Sequence, residues 1–421
     1  MVGNNVEVFI IVVISGKKIA DTIEAILTVA FFVLSLTISF ALEDNSGVGK
    51  YVLLSILFLL LIVHVVSNKF VLNIKINLMH IYMMIFLFVC LISSLFAKNS
   101  EIALNRTIDI AEILVMIFVL YICFENKETD YLLKIVMWSG YIVVLYSIQY
   151  YGIEYFLMIL KSSGRVANSA LNANTLGLCG AYSIVITVYF ILYSGFSLWN
   201  LVSLPTIVII AASGSRKALV VLSLGIVALF IIKNNENKSI LNASLKSVFT
   251  LLILTIVGFL VLQLPIFSTT LERLQTLLFA FKGQNGADSS ALARIKLVEI
   301  GIDLFEKSPI IGVGIDNPQL FTFGYFGIEN YYLHNNYIEL LAGVGLVGFI
   351  AYYWIYILLV ISFIMNRKFS DRAYIMTFLL LLIQLFMDIG SVTYETKLTY
   401  FYLLIFIIEY QKISKKNKQG A

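Results

Sequence analysis

Long apolar runs recur along almost the whole chain, and short polar or basic segments separate them. A run of about 20 apolar residues is long enough to cross a bilayer as a helix. The runs are continuous rather than alternating, so the pattern favours helices over a closed barrel. It predicts an all-α polytopic membrane protein with about twelve transmembrane helices. They occupy roughly residues 22–42, 51–67, 78–96, 107–124, 131–149, 174–193, 199–213, 217–232, 247–265, 336–365, 372–390 and 397–410.

One long polar segment, at about residues 266–335, separates the ninth and tenth predicted spans. Within it, Asp288 and the two serines that follow can cap a helix whose apolar positions recur every three or four residues. This predicts a single large loop with a helical segment at about 289–306, ended by the Ser308-Pro309 pair. Residues 1–421 otherwise form one integral membrane domain.

Lysine and arginine predict the orientation of the chain. If the N-terminus is cytoplasmic, the short cytoplasmic segments carry about twice as many basic residues as the short outer segments. Both termini are therefore predicted to be cytoplasmic, and the large loop is predicted to face outward.

Composition supports this picture and excludes other classes. The chain of 421 residues is 60% hydrophobic and only 13% charged, which no soluble domain of this size approaches. Its net charge of +4 lies mainly in short loops and the C-terminal tail, so we expect no nucleic-acid partner. The three cysteines fall inside apolar runs and have no metal-ligand or disulfide spacing. The apolar run Val6–Ile14 is interpreted as a short interfacial segment rather than a cleavable signal.

Candidate chemistry concentrates where the large loop meets the tenth span. The segment there carries a histidine, amides, a tyrosine and a carboxylate, at His334, Asn335, Asn336, Tyr337 and Glu339. Polar groups at the entrance of a membrane helix are costly, which makes them functional candidates.

The predicted topology places three arginines, Arg165, Arg216 and Arg294, on the same outer side as His334. Guanidinium groups suit phosphate because their planar fork makes bidentate, charge-assisted contacts. A nearby histidine can accept a proton from a sugar hydroxyl near neutral pH. The set predicts glycosyl transfer from a lipid pyrophosphate. Because no Asp-x-Asp motif occurs in the outer loops, we expect no required metal and no cofactor.

Structural roles compete with these assignments. An outer arginine at a helix end can anchor lipid headgroups, and a lone histidine can be a structural hydrogen-bond donor. Glu339 and Asp388 could pair with the cations or make ordinary polar contacts inside the bundle.

The glycines of Gly343-x-Gly345-x-x-Gly348 match the dinucleotide-binding fingerprint in letters only. No strand precedes them and they lie in an apolar run, so the context that this fingerprint requires is absent. We interpret them as small residues that let helices approach closely.

Three motifs in order resemble those of the O-antigen ligases and the O-antigen and capsular repeat-unit polymerases. They are Gly214–Leu219, Arg294 followed by Pro309–Gly314, and His334–Leu340 with its glycine-rich helix. The resemblance covers roughly residues 200–365. Arg165–Asn174 resembles a looser upstream segment of that superfamily, rich in arginine and asparagine.

This resemblance implies a membrane glycosyltransferase of the C type (GT-C) that acts on undecaprenyl-pyrophosphate-linked sugars at the outer face of the bacterial cytoplasmic (inner) membrane. It implies catalytic roles for Arg216, Arg294 and His334. The expected substrate-binding residues are Arg165, Lys217, Asn335, Asn336, Tyr337 and Glu339.

A polymerase passes the growing chain to another lipid-linked repeat unit, whereas a ligase passes it to lipopolysaccharide core. We favour the polymerase because the hairpin at Ser215–Ala218 and the form of the His334 motif resemble that branch more closely. A transporter or flippase of the same lipids is a third interpretation. Against it, Pro205 is the only proline inside a predicted span, so paired broken helices are not evident. Flippases and chain-length regulators are candidate partners of a polymerase.

Overall fold

The computed structural model of the chain describes residues 3–41, 48–70, 76–162, 166, 172–235, 289–323, 331–366 and 371–419, with isolated residues between 253 and 276. This part of the chain is helical and contains no strand. In chain order its helices are α1 (Gly3–Ala41), α2 (Val48–Ser67), α3 (Leu78–Leu95), α4 (Ser100–Phe124), α5 (Thr129–Tyr151), α6 (Ile153–Lys161), α7 (Ala173–Ser194), α8 (Ser203–Ser213), α9 (Arg216–Asn235), α10 (Ser289–Lys307), α11 (Asn336–Asn366), α12 (Arg372–Met387) and α13 (Lys397–Gln419). Short 3-10 helices occupy Leu198–Val202 and Pro318–Phe321.

Seven of the described helices are long and apolar enough to cross a membrane, namely α1 (over Lys17–Thr37), α2, α3, α4, α5, α7 and α11. The chain is therefore a polytopic membrane protein, as its sequence predicts. Four further predicted spans fall on α8, α9, α12 and α13, which are shorter or more polar. The predicted span at 247–265 lies outside the described residues, apart from isolated positions. The number twelve remains a prediction.

Helix α1 runs without a break from Gly3 to Ala41. No proline interrupts this stretch, so the backbone hydrogen-bond ladder can continue through it. The segment Val6–Ile14, predicted to be interfacial, forms the first part of α1 and precedes the candidate span that begins at Lys17.

The helices define two ends of a bundle. We call the end where α7 and α9 begin the site end, and the end where they finish the opposite end. At the opposite end, Lys127 contacts Glu24 at 2.9 Å and Arg372 contacts Asp130 at 2.8 Å. These ion pairs fasten α1 and α12 to the turn between α4 and α5.

Helix α11 reverses its direction at Gly345, which has φ +64° and ψ −167°. The rings of Tyr337 and Tyr353 stack with their centroids 4.8 Å apart. In a straight helix these residues would lie about 24 Å apart along the axis. The 336–344 arm therefore folds back beside the 346–366 arm. The predicted span at 336–365 merges these two arms, and only the second of them continues toward the opposite end.

A turn-containing segment of the large loop holds this reversal together. The amide of Leu346 donates to the carbonyl oxygen of Pro309 at 2.9 Å, and the amide of Gly314 donates to that of Gly343 at 2.8 Å. A Cβ atom on Gly345 would lie 2.3 Å from the backbone oxygen of Ile310. The glycines were predicted to let helices pack closely. Gly348 does so, since a Cβ there would lie 2.2 Å from the side chain of Val344 in the other arm. Gly343 and Gly345 instead let the backbone of a loop approach to hydrogen-bond distance.

Helix α10 covers the folded 336–344 arm. A small apolar cluster joins Leu297, Ile300 and Leu304 of α10 to Leu333 and Ala342. This face buries roughly one leucine-sized side chain per helical turn, each worth about 1.5–3 kcal/mol. The packing fixes the position of α10 relative to His334, which directly follows Leu333.

Helix α12 has 16 residues and is therefore about 24 Å long. The hydrocarbon core of a bilayer is about 30 Å thick. Because Arg372 anchors the first turn of α12 at the opposite end, the loop that follows α12 lies at the site end, and the helix before it is roughly 6 Å shorter than that hydrocarbon core. Residues 388–396, the α12–α13 loop, thus form the floor of a recess.

The reversal makes Gly345 sensitive to substitution. We expect Gly345→Ala to destabilise the protein by roughly 1–3 kcal/mol more than Gly152→Ala. Both glycines adopt a positive φ, but a Cβ on Gly152 would meet nothing within 4 Å. Thermal unfolding of the two purified variants in detergent measures the difference. Equal losses of stability would show that backbone strain alone, and not the contact with Ile310, restricts position 345.

Candidate functional site

A cavity of about 230 Å³ lies at the site end, among α7, α9, the segment before α11, and the α12–α13 loop. Its polar lining includes Lys217, His334 and Ser391. Leu36, Tyr182, Leu398 and Tyr402 line its apolar part. One part of the cavity lining is therefore charged and another part is apolar, which suits an amphiphile with a polar head.

His334 adopts a backbone conformation that is uncommon for residues other than glycine, with φ +57°. Its ring lies 4.1 Å from that of Tyr332 and 5.6 Å from that of Tyr331, between centroids. The amide of Leu333 donates to the carboxylate of Glu339 at 2.8 Å. Holding such a conformation costs about 1–3 kcal/mol, so these contacts fix the imidazole at the cavity.

The side chains after His334 bind the protein itself. The Oδ1 atom of Asn335 accepts hydrogen bonds from the amides of Tyr337 and Ile338, which caps the 336–344 arm. The hydroxyl of Tyr337 donates to the carbonyl oxygen of Leu385 at 2.7 Å. These contacts position the arm that follows His334.

Asn336 is fully buried, and both the oxygen and the nitrogen of its side-chain amide form hydrogen bonds. Its Oδ1 atom accepts from the amides of Thr393 at 2.8 Å and Tyr394 at 3.0 Å, and its Nδ2 atom donates to the hydroxyl of Tyr353. The sequence predicts substrate contacts for Asn335, Asn336, Tyr337 and Glu339. In the structure these hydrogen bonds face the protein, and they orient His334 and the α12–α13 loop.

Lys217 reaches the cavity from the first turn of α9. Its Nζ atom donates to Oγ of Ser391 at 2.7 Å, so it contacts the α12–α13 loop that Asn336 holds. Lys217 is half-buried, and Gly390 lies close to its side chain. The lysine and the histidine are thus positioned by the same loop.

The positive charge of Arg294, on α10, acts on His334. Burial, together with the positive charges of Arg294 and Lys217, lowers the pKa of His334 from 6.5 to about 4. At neutral pH the imidazole is therefore uncharged and flanked by two cations. The structure brings three predicted site residues together: Lys217, Arg294 and His334.

The structure places the remaining two arginines differently. Arg216 begins α9 and is only 9% exposed; it does not line the described cavity, although Lys217 beside it does. The hairpin before it packs tightly on α7, since a Cβ on Gly177 would lie 2.6 Å from Oγ of Ser213. Ser213, Ser215 and Ala218 of this hairpin are buried as well. Arg165 lies outside the described residues.

Several helices begin at the cavity. The first turns of α7, α9 and α13 each contribute a lining residue: Thr175, Lys217 and Leu398. The side chain of Asn172 caps α7 by accepting from the amide of Asn174. The N-terminal end of a helix carries a partial positive charge, so these ends add to the two cations and favour an anion.

A three-way ion pair supports the recess from outside. Arg106 of α4 contacts Asp316 at 3.0 Å and Glu395 at 2.6 Å. Asp316 belongs to the loop that pairs with the reversal of α11, and Glu395 directly precedes α13. The arginine therefore joins the two loops that position His334 and Lys217.

The sequence analysis missed the α12–α13 loop as part of the site. Ser391, Thr393 and Thr396 line the cavity, yet only Asp388 of this segment was considered. A signal was present, because this polar stretch separates two apolar runs that are among the shorter predicted spans. A polar stretch between two short runs indicates a recessed loop.

In the part of the chain that the structure describes, no group of three or more His, Cys, Asp or Glu side chains could hold a metal ion.

Residues 201–353 match a protein-family model described as O-antigen ligase. The match spans α8 to the first part of the 346–366 arm and includes Arg216, Arg294 and His334. It confirms the resemblance to the O-antigen ligase and polymerase superfamily. No curated protein matches the chain.

The electrostatic coupling at His334 can be measured directly. We expect Arg294→Gln to raise the pKa of His334 above about 4, because one of the two nearby positive charges is removed. The value should stay below 6.5, since burial is unchanged. Titration of ¹⁵N-labelled imidazoles by NMR gives the pKa, and the loss of one resonance in His334→Gln assigns it. Arg372→Gln, at the opposite end, serves as control. An unchanged pKa in Arg294→Gln would show that this guanidinium does not act on His334.

Proposed function

We propose that this protein is a membrane glycosyltransferase that polymerises undecaprenyl-pyrophosphate-linked oligosaccharide repeat units into O-antigen or capsular polysaccharide. The observation that carries the proposal is an uncharged His334 between two cations, Lys217 and Arg294, in a recessed cavity. His334 and both cations lie in the segment that matches the O-antigen ligase family.

The cations and helix N-termini supply what a pyrophosphate leaving group needs. In the proposed reaction, an acceptor hydroxyl oxygen forms a bond to the anomeric carbon of the donor sugar. The bond from that carbon to the pyrophosphate oxygen breaks, and the electron pair leaves with the pyrophosphate. Positive charge from Arg294, Lys217 and the helix ends stabilises the developing negative charge. The apolar part of the cavity, near Leu36 and Tyr402, suits the first units of the lipid.

His334 takes the proton of the acceptor hydroxyl in this scheme. Its pKa of about 4 makes it a weak base. A bound pyrophosphate offsets the charges of Arg294 and Lys217, and its own negative charge raises the pKa of His334. Binding of the donor therefore makes the histidine a better base when the proton must move.

We propose that the site end faces the outside of the bacterial cytoplasmic membrane, with both termini in the cytoplasm, because the basic residues are distributed that way. Flippase and chain-length regulator proteins would then be its partners. The second candidate is an O-antigen ligase that uses the same donor and passes the glycan to lipopolysaccharide core. The description of the matching family favours that candidate.

Reconstitution with lipid-linked repeat units alone tests the polymerase. We expect purified wild-type protein in liposomes to make a ladder of longer products, and to do so with a chelator present. His334→Ala should abolish the ladder, because no group then accepts the proton. His64→Ala, which removes a histidine 2.9 Å from Glu24 at the opposite end, should retain it. Gel analysis of the glycans measures each product.

Other outcomes of the reconstitution are equally informative. Transfer that occurs only after lipopolysaccharide core is added identifies a ligase. A ladder that His334→Ala leaves intact contradicts the catalytic role of this residue. Activity that is lost in chelator and restored by a divalent ion contradicts a metal-independent reaction.

Arg216→Lys tests whether this buried arginine binds the donor. A lysine keeps the charge but loses the bidentate fork, so we expect kcat/KM to fall roughly tenfold to a hundredfold. The thermal midpoint should change little. Arg372→Lys is the matched control, because Arg372 pairs with Asp130 at the opposite end. Full activity in Arg216→Lys would assign Arg216 a structural role in the hairpin.

A further inference from the structure

The cavity has two unlike walls. One wall carries Lys217 and His334, with the charge of Arg294 close by. The wall from α12 and α13 presents amide and hydroxyl groups at Gln384, Thr396 and Thr399. No lysine or arginine of α12 or α13 is among the described residues that line the cavity. The second wall is therefore polar but carries no cation.

The orientation of Gln384 is set by the carboxylate behind it. Its Nε2 atom donates to Oδ1 of Asp388 at 3.0 Å. A carboxylate only accepts hydrogen bonds, so the amide nitrogen has to face Asp388. The side-chain oxygen of Gln384 is then the group left for the cavity, and it is an acceptor.

Asp388 lies behind this wall and accepts hydrogen bonds from two of its residues. It is fully buried, and it also accepts hydrogen bonds from the hydroxyl of Thr393 at 2.6 Å and that of Tyr353 at 2.9 Å. Thr393 and Gln384 both line the cavity. This wall offers a phosphate group no lysine or arginine, whereas its amide and hydroxyl groups suit the hydroxyl groups of a sugar.

The two threonine hydroxyls complete the wall. Thr396 and Thr399 are three residues apart at the start of α13, where the amide of Thr399 donates to the carbonyl oxygen of Thr396. Neither hydroxyl has a hydrogen-bond partner among the described residues. A threonine hydroxyl can donate and accept, as sugar hydroxyls do.

We infer that Gln384, Thr396 and Thr399 bind the hydroxyl groups of the sugar attached to the pyrophosphate of the lipid-linked substrate. The inference rests on the proposed function and adds a saccharide subsite to it. The acceptor oxygen of Gln384 takes a sugar hydroxyl proton, and the threonines exchange hydrogen bonds with neighbouring hydroxyls. The cavity of about 230 Å³, equal to roughly eight water molecules, has room for one sugar ring.

This wall also fits a role in substrate choice. Gln384, Thr396 and Thr399 lie outside residues 201–353, the segment that matches the family. The cationic wall lies inside it. If members of the family share the leaving group and differ in the sugar, contacts to the leaving group would lie inside the matched segment and contacts to the sugar outside it.

The test compares two lipids on the full-length protein in nanodiscs. One is undecaprenyl pyrophosphate, and the other is the lipid-linked repeat unit purified from cells that make it. We expect Thr396→Val with Thr399→Val to weaken binding of the repeat-unit lipid roughly tenfold or more, since two neutral hydrogen bonds are lost. Binding of undecaprenyl pyrophosphate should be unchanged. Thr377→Val is the control, because its hydroxyl donates to the carbonyl oxygen of Ala373 away from the cavity.

The outcomes separate the subsite from the function. Equal weakening of both lipids, or of neither, overturns the saccharide subsite. Failure of wild-type protein to bind either lipid overturns the proposed function and the subsite with it. Should the double variant not fold, Thr396→Val alone, at a half-buried position, is tested in the same way.

Discussion

The reversal of α11 at Gly345 is the constraint on which the site depends. Within a membrane every backbone amide needs a partner, and a helix that turns back leaves several without one. The loop segment at Pro309–Gly314 supplies partners for Leu346, Val347 and Gly343 through its own backbone. Only glycine allows that approach, because a Cβ at position 345 would meet the oxygen of Ile310. The pairing carries the 336–344 arm, and with it His334, back toward the recess.

The site combines opposite electrostatic demands in a small volume. On one side Lys217, Arg294 and several helix ends concentrate positive charge around an imidazole that stays neutral. On the other side Asp388 and its hydrogen-bonded neighbours present acceptor oxygens. Asn336 couples the two sides, because it follows the histidine segment and binds the loop that carries Ser391. A molecule with an anionic part and a hydroxyl-rich part matches both.

The membrane-spanning character of the chain could be predicted from run length, because a bilayer imposes a minimum length on every helix. The reversal could not, since the apolar run continues through Gly345 without a polar break. The distribution of lysine and arginine predicted that Arg294 and His334 lie on the same side of the membrane, and the structure brings the two residues together. A sequence does not show whether a polar side chain forms its hydrogen bonds with the protein or with a substrate. The sequence therefore predicted Asn336 to contact substrate, whereas in the structure its Oδ1 atom accepts from the amides of Thr393 and Tyr394 and its Nδ2 atom donates to Tyr353.

The shortness of α12 has a consequence for how a substrate arrives. Because this helix is about 24 Å long and a hydrocarbon core is about 30 Å thick, its length favours a cavity floor beneath the plane of the lipid headgroups. A molecule dissolved in water has to leave its hydration shell and pass those headgroups to reach Lys217 and His334. A molecule already anchored in the same leaflet arrives by lateral diffusion, at the correct depth and orientation. The recess thus converts a three-dimensional search into a two-dimensional one and excludes soluble competitors by geometry.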